Sequence, residues 1–369
     1  MQMATRQYEV RFLTPAFLGN AHQNGQWRTP PIKHLLREWW RVAYAADHGF
    51  NVDVAEMRRE EGLLFGMATD GDSRKSLVRM RLTRWEGGKE TKKKWGKQEL
   101  NKRLEGVAHP EVGQIGPKLY LGYGPLVVEK VVQAGRRPEY ATVLKNNAAI
   151  QADEAAVLAF AFPTTHHQQE LMQVTEANAP RIEHALWLVD RYGTLGSRSR
   201  NGWGSSALTP QEDTPALAGK APLRDWRDCL DRDWPHAIGQ DEQGALVWQT
   251  EPHDDWKALM KTLAIVKIGL RTQFKFHSGN NADHPESRHW LSCPVTNHSV
   301  RAWGRNARLP NSLRFKGRQT SDGKLVGVLY HMPCLPPTSF RPDRQVIEEV
   351  WRRVHAYLDG QLAREELQS

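Results

Sequence analysis

Only three cysteines, Cys229, Cys293 and Cys334, occur in 369 residues, and they lie far apart. That excludes a disulfide scaffold and a CxxC-type zinc site, and it fits a reducing cytosol, so a cytoplasmic location is expected. No apolar run approaches the roughly 18–20 residues that cross a bilayer, and the opening MQMATRQYEV does not read as a signal peptide, so no membrane partner is expected. The 15 histidines show neither HExxH nor HxH spacing. No catalytic constellation, metal site or cofactor is therefore expected. What remains is an ordinary soluble composition, 39% hydrophobic and 25% charged, which excludes a collagen-like, coiled-coil or wholly disordered chain.

The net charge of +9 conceals its distribution. Residues 73–104 carry 12 basic and 3 acidic side chains, and residues 256–369 carry 18 and 9, so each region nets +9. Between them, residues 212–255 hold 4 basic and 11 acidic side chains, netting −7. Two basic regions separated by an acidic one are a footprint suited to a polyanion, although a solvated surface gives the same numbers.

Residues 8–13 alternate as a strand, Pro30 and Pro31 suit the first turn of a helix running to Ala46, and residues 76–85 and 118–132 read as strands. Residues 155–162 form a further strand, 181–192 a second helix stopped by Gly193, and 203–208 a closing strand. Strand, helix, two or three strands, helix, strand is the pattern of a ferredoxin-like domain. Beyond it, residues 255–268 and 343–358 read as helices, and 288–295 and 324–330 as strands. The expected fold class is α+β, with two ferredoxin-like (RRM-like) βαββαβ domains, the second more degenerate, and long loop insertions. The expected division is residues 1–211, an acidic linker or insertion at 212–255, and residues 256–369.

Three segments carry candidate binding residues. On the first helix, Lys33, Arg37 and Arg41 recur every four residues as one cationic stripe, with Arg28 just before it. Such a stripe meets several phosphates of one strand, or it is a solvated face paired with Glu38 or nearby acids. The second segment, GTLGSRSRNGWG at 193–204, combines four glycines with Arg198, Ser199, Arg200 and Trp203. Its glycines allow backbone amides to approach an anion, and Trp203 offers a stacking face. It has neither P-loop spacing nor the strand-to-helix setting of a dinucleotide turn. The third, residues 84–97, places Trp85 and Trp95 among lysines that include Lys92, Lys93 and Lys94, a mixture suited to unpaired bases and phosphates. Trp303, Arg305, Arg308, Arg314, Lys316 and Arg318 repeat that mixture near the C-terminus. His34, beside the stripe, is a structural or contacting residue, or a general acid or base.

Together these segments resemble the RAMP superfamily of CRISPR effector proteins, and within it subunit one of the type III-B Cmr complex. The resemblance rests on Phe12-Leu-Thr-Pro-Ala-Phe-Leu-Gly-Asn-Ala, Arg28-Thr-Pro-Pro-Ile-Lys-His-Leu-Leu-Arg-Glu-Trp-Trp-Arg, Glu61-Gly-Leu-Leu-Phe-Gly, Tyr120-Leu-Gly-Tyr-Gly and the block from Ala185 to Gly204. Arg288-His-Trp-Leu-Ser-Cys-Pro and Pro310-Asn-Ser-Leu-Arg-Phe-Lys look like the family's second half. The resemblance implies a crRNA-guided complex in which this chain holds the 3′ portion of the guide RNA, helps capture complementary target RNA and contacts other Cmr-type subunits without being the slicing subunit. It carries RNA contact to Arg28, Lys33, Arg37, Arg41, Arg198, Ser199 and Arg200. One departure is His34, where the family usually has a small residue. Slicing subunits carry an acid between the first strand and first helix, and residues 14–31 contain none. Two alternatives stay open: a metal-independent guide-processing endoribonuclease using His34, and a structural adaptor with little RNA contact.

Overall fold

The computed structural model describes residues 1–69, 72–95, 106–131, 139–304 and 306–367. Two four-stranded sheets organise the chain. The first contains β1 (Gln2–Phe12), β2 (Arg79–Leu82), β3 (Ala155–Thr165) and β4 (Ser206–Pro210), with helices α1 (Thr29–Asp47), α2 (Val54–Phe65), α3 (Pro117–Gly122) and α4 (Gln169–Tyr192) in the same half. The second contains β5 (Val247–Gln249), β6 (Leu313–Gln319), β7 (Leu325–His331) and β8 (Ala363–Arg364), with α5 (Trp256–Thr272) and α6 (Arg344–Asp359). Each sheet is antiparallel, and in each the spatial order is fourth, first, third, second strand. In chain order, a helix follows the first strand and another follows the third in both halves.

The alternation of residues explains the layering. In β1, Tyr8, Val10 and Phe12 point inward, matched across β3 by Leu158 and Phe160, and they bury against Leu35, Leu36, Trp39 and Trp40 of α1 and Ile182 and Leu186 of α4. The opposite face of this sheet carries the exposed Arg11, Arg79 and Arg81. The second sheet is covered on both faces, which is why β7 reads as the unbroken run LVGVLYH. Val326, Val328 and Tyr330 pack on the helices of the first half, while Leu325 and Leu329 pack with Leu263 of α5 and Val350 and Val354 of α6. The order of layers is sheet, helices, sheet, helices.

A buried lysine joins the halves. Lys316 of β6 is 0% exposed. Its ammonium donates to the carbonyls of Val189 at 3.1 Å, Gly193 at 2.8 Å and Ser206 at 2.9 Å, and to that of Asp190. Carbonyls in the last turn of a helix have no intrahelical donor, and Lys316 supplies one at the end of α4. Arg318 and Arg191 close the same junction from opposite halves by sharing the Glu365 carboxylate.

Several expected elements change. Where a strand was expected over 118–132, the described residues form a short helix, α3, begun by Pro117, followed by the strand Leu126–Val131, which pairs with Glu139–Leu144. The second helix starts at Gln169 instead of 181, and Pro180 lies inside it. The turns before Pro180 hold because Asn178 accepts from Trp40 Nε1 at 2.9 Å and from Arg181 Nη1 at 2.6 Å, and donates to the Val174 carbonyl. Residues 288–295 contain a 3-10 turn, Ser287–Leu291, where a strand was expected. Inside the acidic segment 212–255 lies β5, whose Trp248 is fully buried, so part of the expected linker or insertion supplies the first strand of the second sheet. Asp255 and Asp343 cap α5 and α6 as the helix starts required.

Replacing Lys316 with Met is expected to lower unfolding free energy by about 3 kcal/mol or more, because the buried Asp190, Gly193 and Ser206 carbonyls lose a donor while that of Val189 keeps the Gly193 N–H; urea denaturation measures it. A second expectation concerns pH. His331 and His355 are buried 2.9 Å apart, and burial pushes His331 well below its ordinary value of 6.5 and His355 down to about 3. Both stay neutral in the folded chain, whereas the unfolded chain takes up protons below pH 6.5. Their contribution is present above that pH and is lost as pH falls toward 3, at up to about 2.7 kcal/mol per unit for the pair. Unfolding curves between pH 7 and pH 4 test it against a variant with both histidines replaced by Gln, whose slope should be shallower.

Candidate nucleic-acid interface

The loop at 193–204 leaves α4, turns across the start of α1 and enters β4. Its glycines serve close packing more than anion approach. A Cβ on Gly204, at φ +67°, would lie 1.8 Å from the Leu195 carbonyl oxygen, and one on Gly196, at φ +95°, 2.8 Å from that of Phe17. The amides of Leu195, Ser197, Asn201, Gly202 and Gly204 donate to carbonyls of Gly204, Phe17, Arg198, Ser199 and Pro15. The expected cradle of backbone amides is thus largely occupied by the protein's own backbone, and the loop offers side chains instead. Trp203 corrects the expectation further. It is 0% exposed and packs against Phe17, Trp95 and Trp256, so no base can stack on it. Trp95 is buried in the same aromatic cluster.

The loop's two arginines face different surroundings. Arg198 is exposed and sits in the left-handed region at φ +59°, a conformation that costs a non-glycine residue on the order of 1 kcal/mol. It lies beside Tyr123-Gly124, where a Cβ on Gly124 would meet Arg198 Nη2 at 3.3 Å. It also lies near Lys267 of α5, which in turn neighbours Arg271. Burial first, then the charges of Arg271 and Arg198, push the Lys267 ammonium well below its ordinary range. Lys267 Nζ donates to Asn201 Oδ1 at 2.5 Å, and Arg271 Nη1 to Ser292 at 2.8 Å, both neutral acceptors. Arg288, next in this group, takes the Glu111 carboxylate at 2.5 Å. The result is a basic cluster in which Arg198 is the exposed cation, Arg271 lies buried behind it at 8% exposure, and Tyr123 stands 60% exposed at the edge. Such a juxtaposition meets a phosphate and an unpaired base at once. Lys267, Arg271 and Tyr123 were not singled out from sequence. The Tyr120-Leu-Gly-Tyr-Gly motif was the available signal for Tyr123, and the charge pattern of α5 gave none.

Arg200 turns the other way. Its Nη1 reaches the Asn311 carbonyl at 3.3 Å, and burial, then the charge of Arg314, lower it to about 10. Ser199 is half-buried next to it.

On α1 the stripe divides. Glu61 of α2, whose side chain is only 3% exposed, accepts from Arg37 Nε at 2.7 Å and from Arg41 at 2.8 and 2.9 Å. These two arginines are engaged by Glu61, a nearby acid, while Glu38 lies 3.7 Å from His34, which is exposed. Lys33 remains half-buried, with its ammonium lowered by burial and then by Arg37. Arg28 is half-buried, and its Nη1 holds the Gly19 carbonyl at 2.9 Å.

In the third segment, Lys92 pairs with Glu129 at 2.6 Å and Lys94 donates to Gln151 at 2.5 Å, whereas Lys93 is exposed. Trp85 is 52% exposed and follows Arg79 and Arg81 on the outer face of the first sheet. The C-terminal mixture is mostly internal: Lys316 and Arg318 belong to the junction, Arg314 is 9% exposed, and Trp303 donates to the Phe340 carbonyl at 3.0 Å. Arg305 lies outside the described residues. No helix among the described residues is long and apolar enough to cross a membrane.

Removing the Glu61 carboxylate by Glu61→Gln is expected to destabilise the chain by about 2 kcal/mol, since two arginines lose their charged acceptor; urea denaturation measures it. Arg198→Ala should leave stability near that of the unaltered chain, while Arg37→Ala should lower it.

Among curated proteins none matches the chain. Of solved structures, a chain from a cryo-EM structure of the type III-B Cmr-beta bound to cognate target RNA is similar at 10% identity and a TM-score of 0.48, covering 96% of this chain and 100% of that one. A second, from the same assembly with AMPPnP in the presence of ssDNA, is similar at 12% identity and a TM-score of 0.44, with the same coverage. The RAMP superfamily profile matches residues 9–206, which take in the end of β1, the α1 stripe, β2, β3, α4 and the Gly-rich loop. This chain belongs to the RAMP superfamily.

Proposed function

We propose that this chain is a non-catalytic, RNA-binding subunit of a type III CRISPR ribonucleoprotein effector complex. In this reading it binds near the 3′ end of the guide RNA and helps capture complementary target RNA, with other Cmr-type subunits as neighbours. The observation that carries it is the cluster of Arg198, Lys267 and Arg271 beside the exposed Tyr123, built around the loop that the family resemblance singles out. The identical strand order of the two halves supports reading both as ferredoxin-like domains. The absence of any Asp or Glu from residues 14–31 supports binding over target cleavage.

Filter binding of single-stranded RNA to the full chain tests the reading. Arg198→Ala is expected to weaken binding several-fold and to reduce the slope of log affinity against log salt by about 0.7, the loss of one phosphate contact. Tyr123→Ala should weaken binding with the salt slope unchanged, since a lost stack releases no counterion. Unchanged affinity in both variants would remove this surface from RNA contact. Discrete cleavage of repeat RNA in EDTA, abolished by His34→Ala, would instead favour the endoribonuclease.

A further inference from the structure

Between the two halves runs a small crevice, open to solvent and about 80 Å³ in volume, with Glu38 and Arg41 of α1 on one wall and Trp234, Arg314 and Met332 on the other. Arg200 of the Gly-rich loop flanks it: the Arg200 carbonyl accepts from Phe315 N–H at 3.1 Å and its Nη1 reaches the Asn311 carbonyl at 3.3 Å, on either side of Arg314, and Arg314 and Glu38, both crevice residues, act on its charge. An arginine from each half therefore lies at this junction, both partly or largely buried. Bringing like charges together in partly buried surroundings is unfavourable unless something of opposite sign offsets it. Arg41 is engaged by Glu61. Among the described residues, no carboxylate lies within ion-pair distance of Arg200 or Arg314. Arg200 holds only the Asn311 carbonyl, and Arg314 faces the Tyr330 hydroxyl. The acids that face the pair are Glu38, whose side chain is 38% exposed and 3.7 Å from His34, and Asp233 beyond Cys334. The crevice and its rim thus set Arg200 and Arg314 against a single lining carboxylate, Glu38.

We propose that this crevice is an anion site in which Arg200 and Arg314 together bind a phosphate group across the junction of the two halves. Two guanidinium groups present planar, paired donors that match phosphate oxygens, which a single surface lysine does not. The site is separate from the Arg198 surface, because the two loop arginines point into different surroundings, and it does not require the chain to bind RNA. Its phosphate belongs either to an RNA backbone threading between the halves or to a small phosphorylated molecule.

The test uses the full chain and inorganic phosphate, compared with chloride at equal ionic strength, by thermal shift and calorimetry. Phosphate is expected to raise the melting temperature in a saturable manner. Arg314→Gln should weaken phosphate binding by about tenfold or more, and Arg314→Lys should retain part of it. If Arg314→Gln does not fold, Arg200→Gln provides the same measurement from the other wall. The absence of a phosphate-specific shift in the unaltered chain, or phosphate affinity unchanged from the unaltered chain in folded Arg314→Gln and Arg200→Gln, would overturn the proposal. If phosphate competes with single-stranded RNA and Arg314→Gln weakens both, the backbone is the source. If phosphate binds and RNA affinity is unaffected by Arg314→Gln, the ligand is a small phosphorylated molecule. Failure of RNA to bind the unaltered chain would sink the RNA reading alone, because phosphate binding is measured without RNA.

Discussion

The ammonium of Lys316 sets where the rest of the molecule sits. It is held inside the protein by carbonyls of Val189, Asp190, Gly193 and Ser206, which bracket the end of α4 and both ends of the Gly-rich loop. An ammonium without water needs acceptors, and a helix C-terminus without a cap needs donors, so each group resolves the other's deficit. Since Lys316 is carried on β6, the second sheet is fixed against the first half at the point where the loop begins and ends. The same strand adds an amide, Phe315 N–H, to the Arg200 carbonyl at 3.1 Å, and another, Gly317 N–H, to Ser205 Oγ at 2.8 Å. A loop tied at both ends and along one edge holds its two arginines in place.

That constraint sorts the basic residues into those that build the protein and those that face outward. Lys316 and Arg318 close the junction, Arg37 and Arg41 clamp the buried Glu61, and Arg84 reaches Glu154 at 3.3 Å. Glu154 itself gathers the Lys89 and Gln151 amides and the Trp27 indole, so the start of the basic insertion is anchored to the core. Bulk positive charge is therefore a poor guide to the binding surface. Of the +9 carried by residues 256–369, the side chains that the proposed sites draw on are Lys267 and Arg271 on α5, and Arg314 at the crevice.

The sequence made the helices and first sheet legible because their signals are local. Pro30 and Pro31 open α1, Asp255 and Asp343 cap α5 and α6, and alternating apolar residues mark β1 and β3. What it hid depends on contacts far along the chain. β6 reads as a basic segment, LRFKGRQ, yet six of its seven residues are buried, because Lys316 and Arg318 find partners more than 40 residues away. Trp203 and Trp95 look like bases' stacking partners in a cationic context, but only the tertiary packing of Phe17 and Trp256 reveals them as core. The Gly-rich loop stands out in the sequence as a candidate site, while the role of its glycines does not. Glycine density has the same appearance whether an anion or the protein's own Leu195 carbonyl makes the close approach.

The remaining tension in the loop lies at Arg198. A left-handed φ of +59° at an arginine is unfavourable by itself, and nothing in the sequence GSRSRNG compels it, since glycines stand at 196 and 202 to take such angles. The conformation persists because the Arg198 carbonyl accepts from Asn201 N–H at 2.9 Å, and Asn201 in turn binds both the Leu121 carbonyl and Lys267. Asn201 thereby couples the loop to α3 and α5. A glycine at 198 would relieve the backbone but would remove the guanidinium beside Tyr123 and Lys267. Keeping the arginine there, against its backbone preference and next to other cations, is intelligible when its charge is met by an anion from outside the chain.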